Sequence, residues 1–243
     1  MYFIVIRNQR DNDTPQVSEL VRKAYTSNTS NIFWGTLLKE TTFQIIVIFT
    51  ALLFIFFQLP ILNCLLSVPL IPLIIYVYIY ASVTMKSAQI MYDKKPIAVW
   101  VAEAYEPYFQ EKDPASCWYQ IITDGDLNGM EEKPQGRKRI IGTVAVMQHS
   151  QHPEWAWLYR VVVDQRYRRK GVALELVKTA QEWCKNNKIN RLELAMSEYN
   201  EGARQLFDKT GFETKQLYHK KHFSKAYMLQ MYLLTAEVRP TFS

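Results

Sequence analysis

Hydrophobic and polar positions along this chain repeat with a period near two, then near three or four, and in one long stretch with no polar rhythm at all. Residues 2–7 form a β-branched and aromatic run that predicts a strand. Thr14, as an N-cap with Pro15 at the first helical position, then opens a helix striped by Val17, Leu20, Val21, Ala24 and Tyr25. Two apolar runs, 43–59 and 61–83, meet at a reversal marked by Pro60 and Asn63, and Pro69 and Pro72 are expected to kink the second. Residues 86–104 read as a further helix leading away from this block. Residues 117–123 and 139–147 read as two antiparallel strands around a polar, charge-rich hairpin tip at 124–138. A strand at 155–163 follows, then a helix striped by Ala173, Leu176, Val177, Ala180 and Cys184 that ends near Asn186 and Asn187. A strand at 191–196 leads to a short helix that starts after Asn200, buries Ala203, Leu206 and Phe207, and stops at Gly211. Strands at 212–218 and 226–234 close the chain.

The unpatterned stretch changes the picture most. No charged side chain occurs between Glu40 and Lys86, and each apolar run is near the roughly 20 residues that cross a bilayer as a helix. Buried helices of soluble proteins rarely stay uncharged for so long, so a transmembrane or re-entrant helical hairpin is expected. Arg22, Lys23 and Lys39 precede it and Lys86, Lys94 and Lys95 follow, which predicts that both flanks lie on the cytosolic side. The block opens at Phe43 and lacks a small-residue cleavage site, so it is expected to stay in the mature chain.

Composition adds limits. The chain has 243 residues, 49% of them hydrophobic, a net charge of +6 and a pI near 9.1. The basic residues fall in no nucleic-acid-binding motif, so anionic lipid and a phosphate-bearing ligand account for the excess, and no nucleic acid is expected. Cys64, Cys117 and Cys184 have no metal-ligand spacing, so neither a metal site nor a disulfide is expected.

The candidate chemistry sits at 159–173, reading YRVVVDQRYRRKGVA, where a β-branched strand runs through a basic turn into a helix start. A helix N-terminus carries unpaired N–H groups and about half a positive charge, so it holds an anion without dedicated side chains. Gly171 lets the backbone come close, and Arg166, Arg168, Arg169 and Lys170 add positive field. Arg160, in phase with Leu158 and Val162 on the strand, carries a charge that needs an acidic partner: Glu193, or a substrate carboxylate.

The spacing Arg168-x-x-Gly171-x-Ala173 resembles the R/Q-x-x-G-x-G/A loop of acyl-CoA-dependent N-acetyltransferases, the GNAT superfamily. Asn200-x-x-Ala203-x-x-Leu206-Phe207-x-x-x-Gly211-Phe212 resembles that superfamily's N-x-x-A-x-x-L-Y-x-x-x-G-F block. With a membrane hairpin after the first strand and helix, the whole chain is similar to the camello-like membrane-bound N-acetyltransferases. The resemblance implies a mixed α/β GNAT fold with a mostly antiparallel sheet splayed at the coenzyme site. Residues 1–30 would supply its first strand and helix, 41–85 the inserted transmembrane hairpin, and 86–238 the remainder.

The same resemblance implies acetyl-CoA as co-substrate. Its pantetheine would pair with Val161, Val162 and Val163, and its pyrophosphate would sit on Arg168, Arg169, Lys170, Gly171, Val172 and Ala173, with Asn200 and Phe207 near the thioester end. Phe207 stands where the family usually has a tyrosine acid, so a thiolate would leave as the anion or take a proton from Tyr199 or Tyr218. Candidate bases are Glu193, Glu198, His149 and His152. The acceptor is expected to be a primary amine on an amino acid, an amino-acid conjugate or a protein lysine, with membrane lipid as the other partner. An endoplasmic-reticulum location with the catalytic domain in the cytosol is implied. The competing readings are a non-catalytic coenzyme-A-binding scaffold or regulator, and a membrane-shaping hairpin with an appended domain.

Overall fold

Strand β1 (Tyr2–Asn8) buries Ile4, Val5, Ile6 and Arg7 in succession, as a strand covered on both faces does. The computed structural model describes residues 2–27, 29–58, 60, 63, 68–92, 95–107, 113–130, 136–221 and 228–238. Seven further strands follow: β2 (Ala98–Glu106), β3 (Tyr119–Thr123), β4 (Arg137–Gln148), β5 (Trp155–Val163), β6 (Arg191–Ser197), β7 (Glu213–Lys221) and β8 (Met228–Glu237). With β1 they form one sheet in the order β3-β1-β2-β4-β5-β6-β8-β7. Only the β1–β3 and β5–β6 pairings are parallel. The helices are α1 (Thr14–Thr26), α2 (Thr29–Leu37), α3 (Glu40–Phe57), α4 (Leu70–Tyr92), α5 (Asp124–Gly129), α6 (Val172–Asn186) and α7 (Glu201–Lys209). The expected mixed α/β fold with a mostly antiparallel sheet is therefore present.

Both faces of the sheet are packed. On one, Val172, Leu176, Val177, Ala180 and Cys184 of α6 and Phe207 of α7 meet Ile4, Ile6, Ala102, Val144, Leu158 and Leu194. Burial in this core pushes the Cys184 thiol up to about 12, so it is an inert packing group. On the other face, Val17, Leu20 and Val21 of α1 pack on Val101, Ile140 and Val162.

Three expectations are corrected. Residues 86–104 are not one helix: α4 ends at Tyr92 and β2 begins at Ala98. Pro96 disfavours helix at the residue before it, and Val99-Trp100-Val101 prefers a strand. Nor do β3 and β4 pair as a hairpin. β3 lies parallel to β1 while β4 lies antiparallel to β2, because the edge beside β1 is open to the later strand. The stretch between them is partly helical, since Thr123 and Asp126 exchange capping hydrogen bonds at the start of α5.

The third concerns the apolar block. α4 starts at Leu70, so Pro72 falls in the first turn, where its missing N–H costs nothing, and no kink is required there. Among the described residues α4 alone is long and apolar enough to cross a membrane by itself. α3 reaches that standard only together with the helices before it, across a bend of 67°. Most of 59–67, where the reversal was expected, lies outside the described residues, as does Cys64. Large apolar side chains on α3 and α4 are exposed, Phe43 to 70%, Phe56 to 75% and Leu73 to 58%.

A buried ionic cluster ties β1, β2 and the start of α1 together. The Arg7 guanidinium donates to both Asp13 oxygens at 2.6 and 3.1 Å and to both Glu103 oxygens at 3.1 and 3.3 Å. Burial alone would raise the Asp13 carboxyl, but hydrogen bonds from Arg7 and the Arg10 amide outweigh it and hold Asp13 below the usual carboxylate range. A lowered folded-state value gives stability that is complete above about pH 4 and is lost as pH falls through that lower value. Arg7→Ala leaves two carboxylates buried without their cation and is expected to cost about 3–5 kcal/mol in chemical denaturation at pH 7. Part of that difference should disappear on acidification below about pH 4, and an unchanged difference there would remove Asp13 from the account.

Candidate active site

Strands β5 and β6 are paired at only three positions, Trp155 with Arg191, Ala156 with Leu192, and Trp157 with Glu193. Beyond Trp157 they part. β6 continues to Ser197 along β8, and β5 continues to Val163 along β4, so the edges they turn toward each other have no strand between them. β5 is also bent at this point. Its register with β4 passes from Tyr159 opposite Ala145 to Val162 opposite Thr143, which leaves Arg160 and Val161 opposite Val144 alone. This is a bulge, and Arg160 takes its left-handed conformation at φ 57°. Val161, Val162 and Val163, named from the sequence, thus lie on the freed stretch of β5.

The turn after β5 is built around Asp164. Its buried carboxylate accepts from the Arg166 amide at 3.1 Å and pairs with Arg139 at 3.6 Å and Arg166 at 3.7 Å. Tyr167 is fully buried and its hydroxyl donates to Glu106. Arg169 and Gly171 have positive φ, 64° and 82°, which brings the chain round into α6. A β-carbon on Gly171 would meet within 4 Å only the Ile121 side chain, at an ordinary contact distance of 3.7 Å. The amides of the first turn of α6, from Val172 on, point out of the helix N-terminus as unsatisfied donors, and Ala173 follows Val172 in that turn. Arg168 and Arg169 are exposed, although the Arg168 Nε also donates to the Val163 carbonyl at 3.3 Å. Lys170 behaves differently from expectation: its ammonium donates to the carbonyls of Cys117 at 2.6 Å and Ala115 at 3.0 Å, and sits 5.4 Å from the Tyr119 ring centroid. It fastens the segment before β3 to the turn.

The remaining candidates divide. Glu193 is buried and its carboxylate accepts from Lys215 at 2.8 Å, so the pairing of Arg160 with Glu193 does not form. Tyr218 is partly buried on β7, opposite Met231, which is itself opposite Ser197, and alternation puts it on the same sheet face as Glu193. Asn200 is exposed immediately before α7. Tyr199 belongs to the 3-10 turn Glu198–Asn200, and its side chain lies outside the described residues. Phe207 is buried edge-on against Phe212, with ring centroids 5.5 Å apart, and belongs to the core. His149 accepts from the amides of Gln151 and His152 through Nδ1 at 3.2 Å each, and its ring stacks on Trp157, so it organises the β4–β5 loop at the closed end of the cleft.

Arg160 is the residue the alternation misread. The bulge reverses its phase, so Leu158 packs with α6 while Arg160 and Val162 face α1 and α4. Its Nη2 donates to the Met91 carbonyl at 3.3 Å and to the Tyr159 hydroxyl at 3.4 Å, and its Nε has no partner. No acidic side chain pairs with it among the described residues. Burial lowers its pKa, and burial raises those of Tyr25 and Tyr159, an effect the Arg160 charge opposes.

Residues 88–212 match the family model described as the acetyltransferase (GNAT) family. The chain belongs to the GNAT family. Two curated relatives from Bacillus subtilis (strain 168) are similar to this chain: the uncharacterized N-acetyltransferase YobR, 23% identical over 53% of this chain and 51% of its own length, and the uncharacterized N-acetyltransferase YycN, 27% identical over 47% and 85%. The chain thus spans about half the length of the first of them. Among solved structures it is similar to an N-acetyltransferase from Staphylococcus aureus Mu50, at 11% identity, 97% and 99% coverage and a TM-score of 0.49. It is also similar to a ribosomal-protein-alanine N-acetyltransferase from Brucella melitensis, at 11% identity, 96% and 98% coverage and a TM-score of 0.47. In this GNAT chain the turn depends on one carboxylate. Asp164→Ala removes the cap on the Arg166 amide and is expected to lower stability by about 1–2 kcal/mol in urea denaturation, whereas an unchanged midpoint would show that the turn holds without it.

Proposed function

We propose that this chain is a membrane-anchored, acetyl-CoA-dependent N-acetyltransferase of the camello-like kind, acting on a primary amine of an amino acid, an amino-acid conjugate or a protein lysine. One observation carries the reading: the gap between β5 and β6 ends at the unsatisfied amides that open α6, in a chain of the GNAT family. A coenzyme with an amide-bearing arm and a pyrophosphate fits that pair of features, the arm along Val161, Val162 and Val163 and the phosphates over residues 168–173. Held there, the thioester carbonyl carbon is attacked by the amine nitrogen. The C–N bond forms, the C–S bond breaks, and coenzyme A leaves as its thiolate. The amine's proton passes to water or to Glu193, whose carboxylate also holds Lys215. A thiol with pKa near 8.5 is a tolerable anionic leaving group, and Tyr218 or Tyr199 would be the phenol to protonate it. The unpartnered Nε of Arg160 suits a carboxylate on the acceptor.

The uncharged stretch from 41 to 85 and the exposed apolar side chains of α3 and α4 support an anchor in a lipid bilayer. The basic flanks favour a cytosolic catalytic domain, where acetyl-CoA is made, and the endoplasmic reticulum is the membrane the family resemblance implies. The partners are then the amine acceptor and lipid, with no nucleic acid. The buried Phe207 favours a second reading, a coenzyme-A-binding module without turnover.

Detergent-purified protein, acetyl-CoA and a panel of amines separate the two, with free thiol as the readout. Thiol release with at least one amine supports the enzyme, coenzyme binding without release supports the module, and absence of both removes the coenzyme site. Gly171→Asp sets a side chain at φ 82° and a negative charge among the amides, and is expected to weaken coenzyme A binding by roughly tenfold or more in calorimetry. Wild-type affinity in a folded Gly171→Asp protein would overturn the position assigned to the phosphates.

A further inference from the structure

We propose that Arg160 is a positioning residue whose guanidinium latches the C-terminus of α4 to the bulge of β5 and so keeps open the gap that receives the acyl-coenzyme arm. The proposal rests on the acetyltransferase reading above. Three costs meet at this one residue. The residue is only 6% exposed, its charge has no acidic partner among the described residues, and its backbone is left-handed at φ 57°. A fold under selection for stability alone would lose the two side-chain costs with an apolar residue, since replacing a buried charge by a packed hydrophobe is often neutral or stabilising, while the backbone cost would remain. Costs of this kind persist where function needs the geometry they maintain.

What offsets them points to the partner. The Met91 carbonyl lies in the last turn of α4, where carbonyls have no partner within the helix, and it accepts from Arg160 Nη2 at 3.3 Å. The C-terminal end of a helix also carries about half a negative charge, which favours the guanidinium there. The Tyr159 ring lies 5.0 Å from the guanidinium and its hydroxyl accepts from Nη2 at 3.4 Å. Arg160 therefore touches, with its side chain, the end of the one helix among the described residues that is long and apolar enough to cross a membrane by itself, and forms the bend of β5 with its backbone. Residues 161–163, the stretch freed from β6, begin at the very next position. Moving or releasing the α4 end withdraws the support of the bulge, and an unsupported bulge lets β5 straighten toward β6 and narrow the gap.

The test uses the full chain in one detergent, comparing wild type, Arg160→Met and Arg160→Lys. Acetyl-CoA affinity is measured by calorimetry with no amine present, so an acceptor carboxylate cannot contribute. Thermal midpoints are recorded alongside. Arg160→Met is expected to bind acetyl-CoA about tenfold or more weakly while melting no lower than wild type, and Arg160→Lys, which keeps a donor for the Met91 carbonyl, to recover part of the affinity. Weaker binding with a clearly lower midpoint would make Arg160 a plain structural residue and overturn the proposal. Wild-type affinity in Arg160→Met would overturn it too, leaving the acetyltransferase reading intact. Wild-type protein that binds no acetyl-CoA would take away that reading and this one together.

Discussion

Past Trp157 the backbone of β5 has a neighbour on one side only, and every N–H and C=O it presents to the other side needs a partner from outside the sheet. Water can supply those partners, but the geometry singles out a longer one. The gap is closed at the Trp155 end by three parallel pairs and opens toward the N-terminus of α6, where a second set of unsatisfied amides converges. Edge groups in a line, ending on a positive helix terminus, match an extended chain with amides along its length and negative charge at its tail. Asp164 and Tyr167 fix the turn between these two features, through the Arg166 amide and Glu106, so the distance from strand to helix does not vary with the exposed arginines around it.

The same sheet constrains the apolar block. β1 precedes α3 and α4 and β2 follows them, yet β1 and β2 are antiparallel neighbours from Phe3 with Tyr105 to Asn8 with Trp100. Arg7 on β1 holds Glu103 on β2 and Asp13 beside α1 in one buried cluster. A chain that leaves the sheet through α3 must return to it through α4, so both ends of the block lie beside one domain.

Local patterns carried most of the fold. The turn from β5 to α6 was legible because a β-branched run, a basic turn, a glycine and a helical stripe follow one another without interruption, and each part is decided by neighbours in sequence. β6, α7 and the two closing strands were legible for the same reason. Long-range pairing was not. β3 next to β1 is a contact between residues more than a hundred positions apart, and the two strands of a hairpin read the same as two strands that never meet. Residues 98–104 read as helix from an apolar helix running toward them, although Pro96 and Val99-Trp100-Val101 hold the signal for a break. At the site the chief misreading came from one bulge. Period-two counting fails across an extra residue, so Arg160 was assigned the face of Leu158 and the partner Glu193, whereas Glu193 is held by Lys215.

Phe207 shows how far the site and the core constrain each other. Its ring meets Phe212 edge-on at 5.5 Å inside the cluster that joins α6 and α7 to the sheet. A tyrosine hydroxyl at that place would need a hydrogen-bond partner or would cost about 1–3 kcal/mol, so phenylalanine is the residue that closes this core without a polar obligation. Closing it also removes the one acid that the motif would otherwise supply. On the proposed reading, chemistry at this site draws on alignment along β5, positive field at α6, and a thiol that leaves as the anion or takes its proton from Tyr218 or Tyr199. A site built in this way is governed by the width and curvature of its cleft more than by any single titrating side chain, and that puts the burden on the residue that bends β5.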